Sequence, residues 1–103
     1  MKGYEDNFVS NSTAAMLAQV GFVSDTTPTQ TAAAKWLRYE QDISVEPVST
    51  RTRGRDRTYR VFVNSNVTLD GGDFDSYEDA LEYGIMTACR MLQYTLSETR
   101  TTE

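Results

Sequence analysis

Arginines are concentrated between residues 51 and 60, RTRGRDRTYR, and they are the side chains in this sequence best suited to binding chemistry. The segment holds five arginines and one aspartate in a chain whose formal net charge is −5. Guanidinium groups match phosphate oxygens, and neutralising a nucleic-acid backbone releases its counterions. A solvated loop is the competing interpretation, because runs of like charge usually face water. The residues that would contact nucleic acid or another partner are Arg51, Arg53, Arg55, Arg57 and Arg60.

Carboxylates are concentrated between residues 70 and 82. The spacing does not match an EF-hand calcium loop, because the glycine required at the sixth position is absent whether counting starts at Asp70 or at Asp73. We therefore predict no metal site. This acidic patch could instead mimic phosphates and inhibit a host nucleic-acid-binding protein. Its members are Asp70, Asp73, Asp75, Glu78, Asp79 and Glu82.

Residue patterns typical of catalysis are missing from the sequence. There is no histidine to act as a general base, and the single cysteine, Cys89, therefore has no imidazole partner. We predict that Cys89 is a structural thiol. No nucleotide-binding glycine pattern occurs. The sequence predicts a protein that is not an enzyme and needs no cofactor; an enzyme would require a pocket with convergent carboxylates.

Length and composition predict one domain. A chain of 103 residues can bury roughly 65% of its unfolded surface, and a single cysteine excludes an intramolecular disulfide. We expect a single domain over residues 1–103, with an ordered core of about residues 10–96 and a flexible tail at 97–103, which has no apolar residue. No long apolar run or basic leader is present, which predicts a cytoplasmic protein without membrane contact.

The first predicted helix covers residues 11–22. Ser12 is the expected N-cap, since its hydroxyl can accept from the first free amides. Gly21 is expected to end the helix in a left-handed conformation, which would bring Phe22 back to Leu17 in a Schellman motif.

The second predicted helix begins within residues 27–30, TPTQ, and runs to about Gln41. Thr27 is the expected cap, Pro28 occupies the first helical position, and Gln30 can reach back to the cap. Trp36 is the largest apolar group of this helix, and its burial should contribute about 2–3 kcal/mol.

The apolar residues then alternate with polar ones, which predicts strands. Residues 43–46 form the first, and Pro47 places it at a sheet edge or ends it. Residues 59–63 form the second, and the two should pair as an antiparallel hairpin across the loop 50–58. A short third strand is expected at residues 67–69.

The final predicted helix begins at Ser76, with Asp79 completing a variant of the capping box. Gly84 in its interior costs roughly 0.8–1 kcal/mol against alanine, which predicts that a side chain of the sheet or the second helix approaches the backbone there. The inward stripe is expected to contain Tyr77, Leu81, Gly84, Ile85, Ala88 and Leu92.

Residues 28–46 and 74–85 together resemble a family of short uncharacterised reading frames of prophages and mobile elements of gut bacteria. Its pattern is a Thr-Gln start, a Trp-Leu-Arg helix, an isoleucine-led strand, a strand with tyrosine and an acidic final helix. Members often carry histidine where this chain has Gln41. The resemblance implies a phage-related protein and brings no assigned activity. The matching positions are Thr29, Gln30, Lys35, Trp36, Leu37, Arg38, Ile43, Tyr59, Phe74, Tyr77, Glu78, Ala80, Leu81 and Glu82.

These patterns predict a two-layer α+β domain of order α-α-β-β-(β)-α, in which the second and third helices cover one face of a small antiparallel sheet. The predicted core is Leu17, Phe22, Trp36, Leu37, Ile43, Val45, Val61, Leu81, Ile85, Ala88 and Leu92, joined by Tyr59 and Val63 if they share the face of Val61.

For function, we expect a small non-enzymatic accessory protein that binds another protein. It could also associate with itself as a homodimer, because a small sheet can leave a face or an edge open. The alternatives are a nucleic-acid-binding module that uses the arginine segment, which the acidic net charge disfavours, and the acidic phosphate mimic.

Overall fold

In the part of the chain that the structure describes, three helices and three strands follow one another in the predicted order. The computed structural model describes residues 7–50, 58–64, 66–67 and 74–101. Its elements are helix α1 (Asn11–Gln19), helix α2 (Gln30–Glu40), strand β1 (Val45–Thr50), strand β2 (Thr58–Val63), strand β3 (Asn66–Val67) and helix α3 (Tyr77–Thr101). The α+β class is therefore confirmed. Within the described residues, none of the helices has the length and apolar character needed to cross a membrane.

The strands form one antiparallel sheet in the order β1-β2-β3. The first two strands pair from Val45 opposite Val63 to Thr50 opposite Thr58, which confirms the predicted hairpin. The predicted bounds of the first strand, residues 43–46, are wrong, because the strand begins at Val45 and continues through Pro47 to Thr50. Strand β1 is an edge strand, as Pro47 predicted. The third strand begins at Asn66, one residue earlier than expected. Positions 68 and 69 of the predicted third strand lie outside the described residues.

Helix α3 is the centre of the packing. It lies against both β1 and β2, while α2 also contacts β1, so the second and third helices cover the sheet as predicted. Helix α1 packs against α3. Because α3 has neighbours on several sides, its buried face is wider than one stripe and includes Ala80 and Cys89, which the sequence pattern had not assigned to the core. The helix continues to Thr101, and fraying of residues 97–103 stays a prediction.

Two predicted helix caps are wrong, and tertiary contacts explain both shifts. Helix α1 is capped by Ser10 rather than Ser12, with the Thr13 amide donating to the Ser10 hydroxyl over 3.1 Å. Helix α2 is capped by Thr29 rather than Thr27, through the amide of Ala32. The backbone of residues 28–30 is hydrogen-bonded to residues 7–9, which holds it extended and delays the start of the helix.

The predicted end of α1 is confirmed. Gly21 has a φ of 109°, a region that side chains with a Cβ rarely adopt. The amide of Phe22 donates to the carbonyl of Leu17 over 2.9 Å, and the amide of Gly21 donates to that of Ala18 over 3.2 Å. These are the two hydrogen bonds of a Schellman motif.

Most of the predicted core is buried, including Leu17, Leu37, Ile43, Val45, Val61, Val63, Leu81, Ile85 and Ala88. Phe22, Trp36, Tyr59 and Leu92 are partly buried and pack around it. Val9, Val20 and the hydroxyl-bearing Thr13 are additional buried residues.

Tyr77 was assigned to the inward stripe, and this prediction is wrong, because 46% of its surface is exposed. Tyr77 has the angular position of the stripe but is the first residue of α3. It therefore lies where the core ends, and its ring packs edge-on against Tyr59 with centroids 6.1 Å apart.

A binding cleft between the second and third helices

Of the residues that the sequence grouped into an arginine site, Arg60 is the one that lies within the described part of the chain. Arg51, Arg53, Arg55 and Arg57 lie outside the described residues. Arg60 is exposed in β2, on the face opposite to buried Val61, because neighbouring residues of a strand point to opposite faces. The predicted phosphate contact of this segment stays a prediction.

Part of the acidic patch lies within the described residues, where Glu78, Asp79 and Glu82 line one hollow. Asp70 and Asp73 lie outside the described residues, Asp75, Glu78 and Asp79 are exposed, and Glu82 is partly buried. Among the described residues, no group of three or more His, Cys, Asp or Glu side chains could hold a metal ion.

Glu82 is hydrogen-bonded within the protein, and it also lines an open hollow of about 410 Å³ together with Glu78 and Asp79. The main-chain amide of Ser10 donates to its Oε2 over 2.9 Å, and the side-chain amide of Gln30 donates to its Oε1 over 2.9 Å. Gln30 also donates to the carbonyl of Glu78 over 3.0 Å. We call Ser10, Thr13, Gln30 and Glu82 the Glu82 junction. It ties the starts of α1 and α2 to the first turns of α3.

The electrostatics of the Glu82 junction favour an ionised carboxylate. Burial raises the pKa of Glu82, but hydrogen bonds from Thr13, Gln30 and Ser10 lower it by more, so that the pKa lies below its ordinary value. Gln30 is only 4% exposed, so its amide needs these acceptors. The sequence pattern had assigned Gln30 to its own helix start. Glu82, one member of the predicted acidic patch, thus helps to connect the three helices.

A cleft lies between α2, the first turns of α3 and the start of β1. Its volume is about 270 Å³. We call it the α2–α3 cleft. Its lining residues are Thr31, Ala34, Lys35, Arg38, Tyr39, Val45, Tyr77 and Leu81.

Positive charge is concentrated in the α2–α3 cleft. Lys35 and Arg38 are exposed and lie one helical turn apart on α2. The described lining contains no carboxylate. Neither cation has a side-chain hydrogen bond or ion pair with another residue among positions 7–50, 58–64, 66–67 and 74–101.

Two tyrosines, Tyr39 and Tyr77, line the α2–α3 cleft together with these cations. Tyr39 is 70% exposed and Tyr77 is 46% exposed. The ring of Tyr77 is supported by Tyr59, whose backbone exchanges hydrogen bonds of 2.9 and 2.7 Å with Phe74. One wall of the cleft is therefore anchored to the sheet.

A second hollow of about 340 Å³ lies beside the cleft on α2. It shares Lys35 and Tyr39 with the α2–α3 cleft and is otherwise lined by Ala32, Trp36 and Glu40. The ring of Trp36 is held by Phe22, with centroids 5.2 Å apart. The two hollows therefore adjoin each other at Lys35 and Tyr39, which line both of them.

Sequence reasoning assigned Tyr77 to the inward stripe of the last helix and gave Lys35 and Arg38 no binding role, so it missed this surface. The available signal was an exposed tyrosine beside two cations on the outward side of α2. Only the approach of Tyr77 and Val45 converts that side into a cleft.

Cys89 has the environment of a packed thiol. It is fully buried, and burial raises its pKa to about 11. The thiol is thus protonated at neutral pH, as suits the structural role predicted from the sequence.

No protein-family model matches this chain, and comparisons with the curated proteins and with the solved structures found no similar protein. The resemblance to prophage proteins stays a prediction.

Proposed function

We propose that this protein is a small accessory protein, without catalytic activity of its own, that acts by binding another protein through the α2–α3 cleft. The observation that carries this proposal is the pair of adjoining hollows on α2, joined by Lys35 and Tyr39 and open to solvent. An extended surface of this kind suits a protein segment better than a single small molecule. A phage or mobile-element origin and a cytoplasmic location, both suggested by the sequence alone, are part of the same proposal.

The residue types of this surface support protein binding. Tyrosine, tryptophan and arginine supply most of the energetically dominant positions of protein interfaces, because they bury large areas at a low cost in side-chain entropy. Tyr39, Tyr77, Trp36 and Arg38 all line the two hollows. Tyr77 and Trp36 are already held by neighbouring rings, which reduces the entropy lost on binding.

The edge of β1 does not support self-association through the sheet. The amide of Asn64 donates to the carbonyl of Ser44, and hydrogen-bonded pairs alternate along an antiparallel ladder. Positions 45, 47 and 49 therefore direct their backbone groups outward. Pro47 stands in the middle of this edge and has no N–H to donate. A different protein is thus the better partner than a second copy paired at this edge.

Site-specific photo-crosslinking tests the proposed function. A benzoylphenylalanine replaces Tyr39 in the cleft or, as a matched control, Tyr94 on α3; the two tyrosines are 70% and 66% exposed. After irradiation in nuclease-treated extract of the source cells, we expect a defined crosslinked polypeptide from position 39 that position 94 does not give. Equal labelling at both positions, or none at either, would contradict the proposal.

Nucleic-acid binding is a distinct outcome. Charge reversal at Arg51, Arg53, Arg55 and Arg57 should leave the crosslink at position 39 unchanged. If these substitutions instead abolish a salt-dependent affinity for DNA or RNA in the intact protein, the arginine segment is the functional site.

A further inference from the structure

We infer that the α2–α3 cleft binds a protein segment carrying an Asp or Glu carboxylate next to an aromatic or large aliphatic side chain. This inference rests on the proposed function and adds the chemistry of the partner. It follows from the positive charge of the cleft, its apolar lining residues and its open shape.

Charge complementarity selects the carboxylate. Lys35 and Arg38 bring two positive charges to the cleft, although the chain as a whole carries −5. A guanidinium can form two parallel hydrogen bonds to one carboxylate, and such charge-assisted bonds are stronger than neutral ones. The described lining offers these cations no carboxylate of its own. An incoming Asp or Glu would supply it.

The floor of the cleft selects the apolar neighbour. Ala34, Val45 and Leu81 line it together with Tyr77. An aromatic or aliphatic side chain placed there would remove apolar surface from water on both sides, which favours binding. Arginine and tyrosine beside such a floor would hold the polar end of the same segment.

The open shape of the cleft favours an anchoring side chain over an enclosed metabolite. The cleft is open to solvent, whereas a small-molecule pocket buries most of the surface of its ligand. The adjoining hollow at Trp36 lets the rest of a peptide continue across α2.

Nucleic acid fits this surface less well. Phosphate backbones are bound by several cations at once, whereas two line the described cleft. A single carboxylate on a peptide needs only the two cations.

Peptide selection tests the inference. A display library of random 12-residue peptides is panned against the full chain, and the selected peptides are synthesised with a fluorescent label. We expect enrichment of Asp or Glu next to Phe, Tyr, Trp, Leu or Ile. Fluorescence anisotropy should show that Lys35→Glu with Arg38→Glu weakens binding by about tenfold or more, as loss of charge-assisted bonds implies. Raising the salt concentration should weaken binding to the unaltered protein.

The control is Arg90→Glu, which reverses an exposed charge on α3 outside the described lining of the cleft; it should change affinity by less than about twofold. Lys35→Gln with Arg38→Gln is the second variant, which removes both charges without adding carboxylates. Circular dichroism and the thermal midpoint confirm that each variant is folded.

The outcomes separate the inference from the function. Selected peptides that lack carboxylates, or that bind the variant with Lys35→Glu and Arg38→Glu as tightly as the unaltered protein, overturn the inference. A crosslink from position 39 would in that case still support the proposed function. Absence of both selected peptides and crosslinks overturns both. A third outcome is that labelled 20-nucleotide RNA or DNA displaces the peptides and no longer binds the variant with Lys35→Glu and Arg38→Glu. This result would overturn the inference in favour of nucleic-acid binding.

Discussion

Gly84 of α3 lies so close to Val61 of β2 that a Cβ atom placed on the glycine would stand 2.6 Å from the valine Cγ2 atom. The Cγ1 atom of Val45 would be only 2.5 Å away. Both valines are buried, and both belong to the sheet. The glycine therefore allows the helix backbone to lie directly on the side chains of β1 and β2, as the sequence predicted for this position.

Replacing Gly84 with alanine should destabilise the fold. Alanine gains about 0.8–1 kcal/mol in helix propensity, but overpacking two β-branched side chains costs about 1–3 kcal/mol. We expect the urea midpoint to fall, corresponding to a net loss of up to about 2 kcal/mol. Combining Gly84→Ala with Val61→Ala should cost less than the sum of the two changes, because the second makes room for the first. A raised midpoint for Gly84→Ala would refute the close packing.

Replacing Glu82 with glutamine should loosen the Glu82 junction. The glutamine side chain keeps one acceptor oxygen and would direct its N–H groups at one of the two donors, the amide of Ser10 or that of Gln30, which costs about 1–2 kcal/mol at neutral pH. The matched control is Glu46→Gln in β1, where the side chain is exposed and the change should be within about 0.5 kcal/mol. Chemical denaturation at pH 7 measures both. Equal effects of the two substitutions would show that the junction does not contribute to stability.

Acid should remove the contribution of Glu82. Its pKa is lower in the folded protein than its ordinary value, so the unfolded chain binds the proton more readily. The stabilisation is complete above the unfolded pKa of about 4.3 and is lost as pH falls through the folded pKa. The stability difference between the original protein and Glu82→Gln should therefore narrow below about pH 4.3. A difference that widens on acidification would reverse the assigned direction of the shift.

Cys89 should react with thiol reagents only after unfolding. The side chain is fully buried, and its pKa of about 11 leaves little thiolate at pH 8. Labelling by iodoacetamide should be slow in native buffer and rapid in denaturing urea, as followed by mass spectrometry. Rapid labelling of the folded protein at the rate of a free thiol would place Cys89 at the surface.

Replacing Pro47 with valine should promote pairing between copies at the β1 edge. The valine supplies the missing outward N–H in the middle of the strand. We expect the mass measured by light scattering to rise with concentration. Ser49→Val adds the same side chain at another outward-facing position and keeps Pro47, so it should stay at the mass of the unaltered protein. Equal association of both variants would point to hydrophobicity rather than backbone pairing.

Local interactions explain the successful predictions. The alternation of the second strand, the hairpin, and the Gly21 ending of α1 depend on residues close in sequence. The Ser76 cap does so as well, since the amide of Asp79 donates to its hydroxyl over 3.0 Å. The caps at Ser12 and Thr27 were wrong because distant groups compete: Ser10 is held by Glu82, and Thr29 by the strand-like contact with Phe8.

The sequence by itself determined the α+β class, the order of elements and the edge position of β1. Each follows from periodicity, capping or backbone sterics, which act over a few residues. Only the tertiary structure decided that Val45 and Val61 approach Gly84 and that Glu82 joins the starts of α1 and α2. It also decided that Tyr77 meets Lys35, Arg38 and Tyr39 at a cleft. Those relationships join residues distant in the chain, and they depend on how α3 settles against the sheet and both other helices.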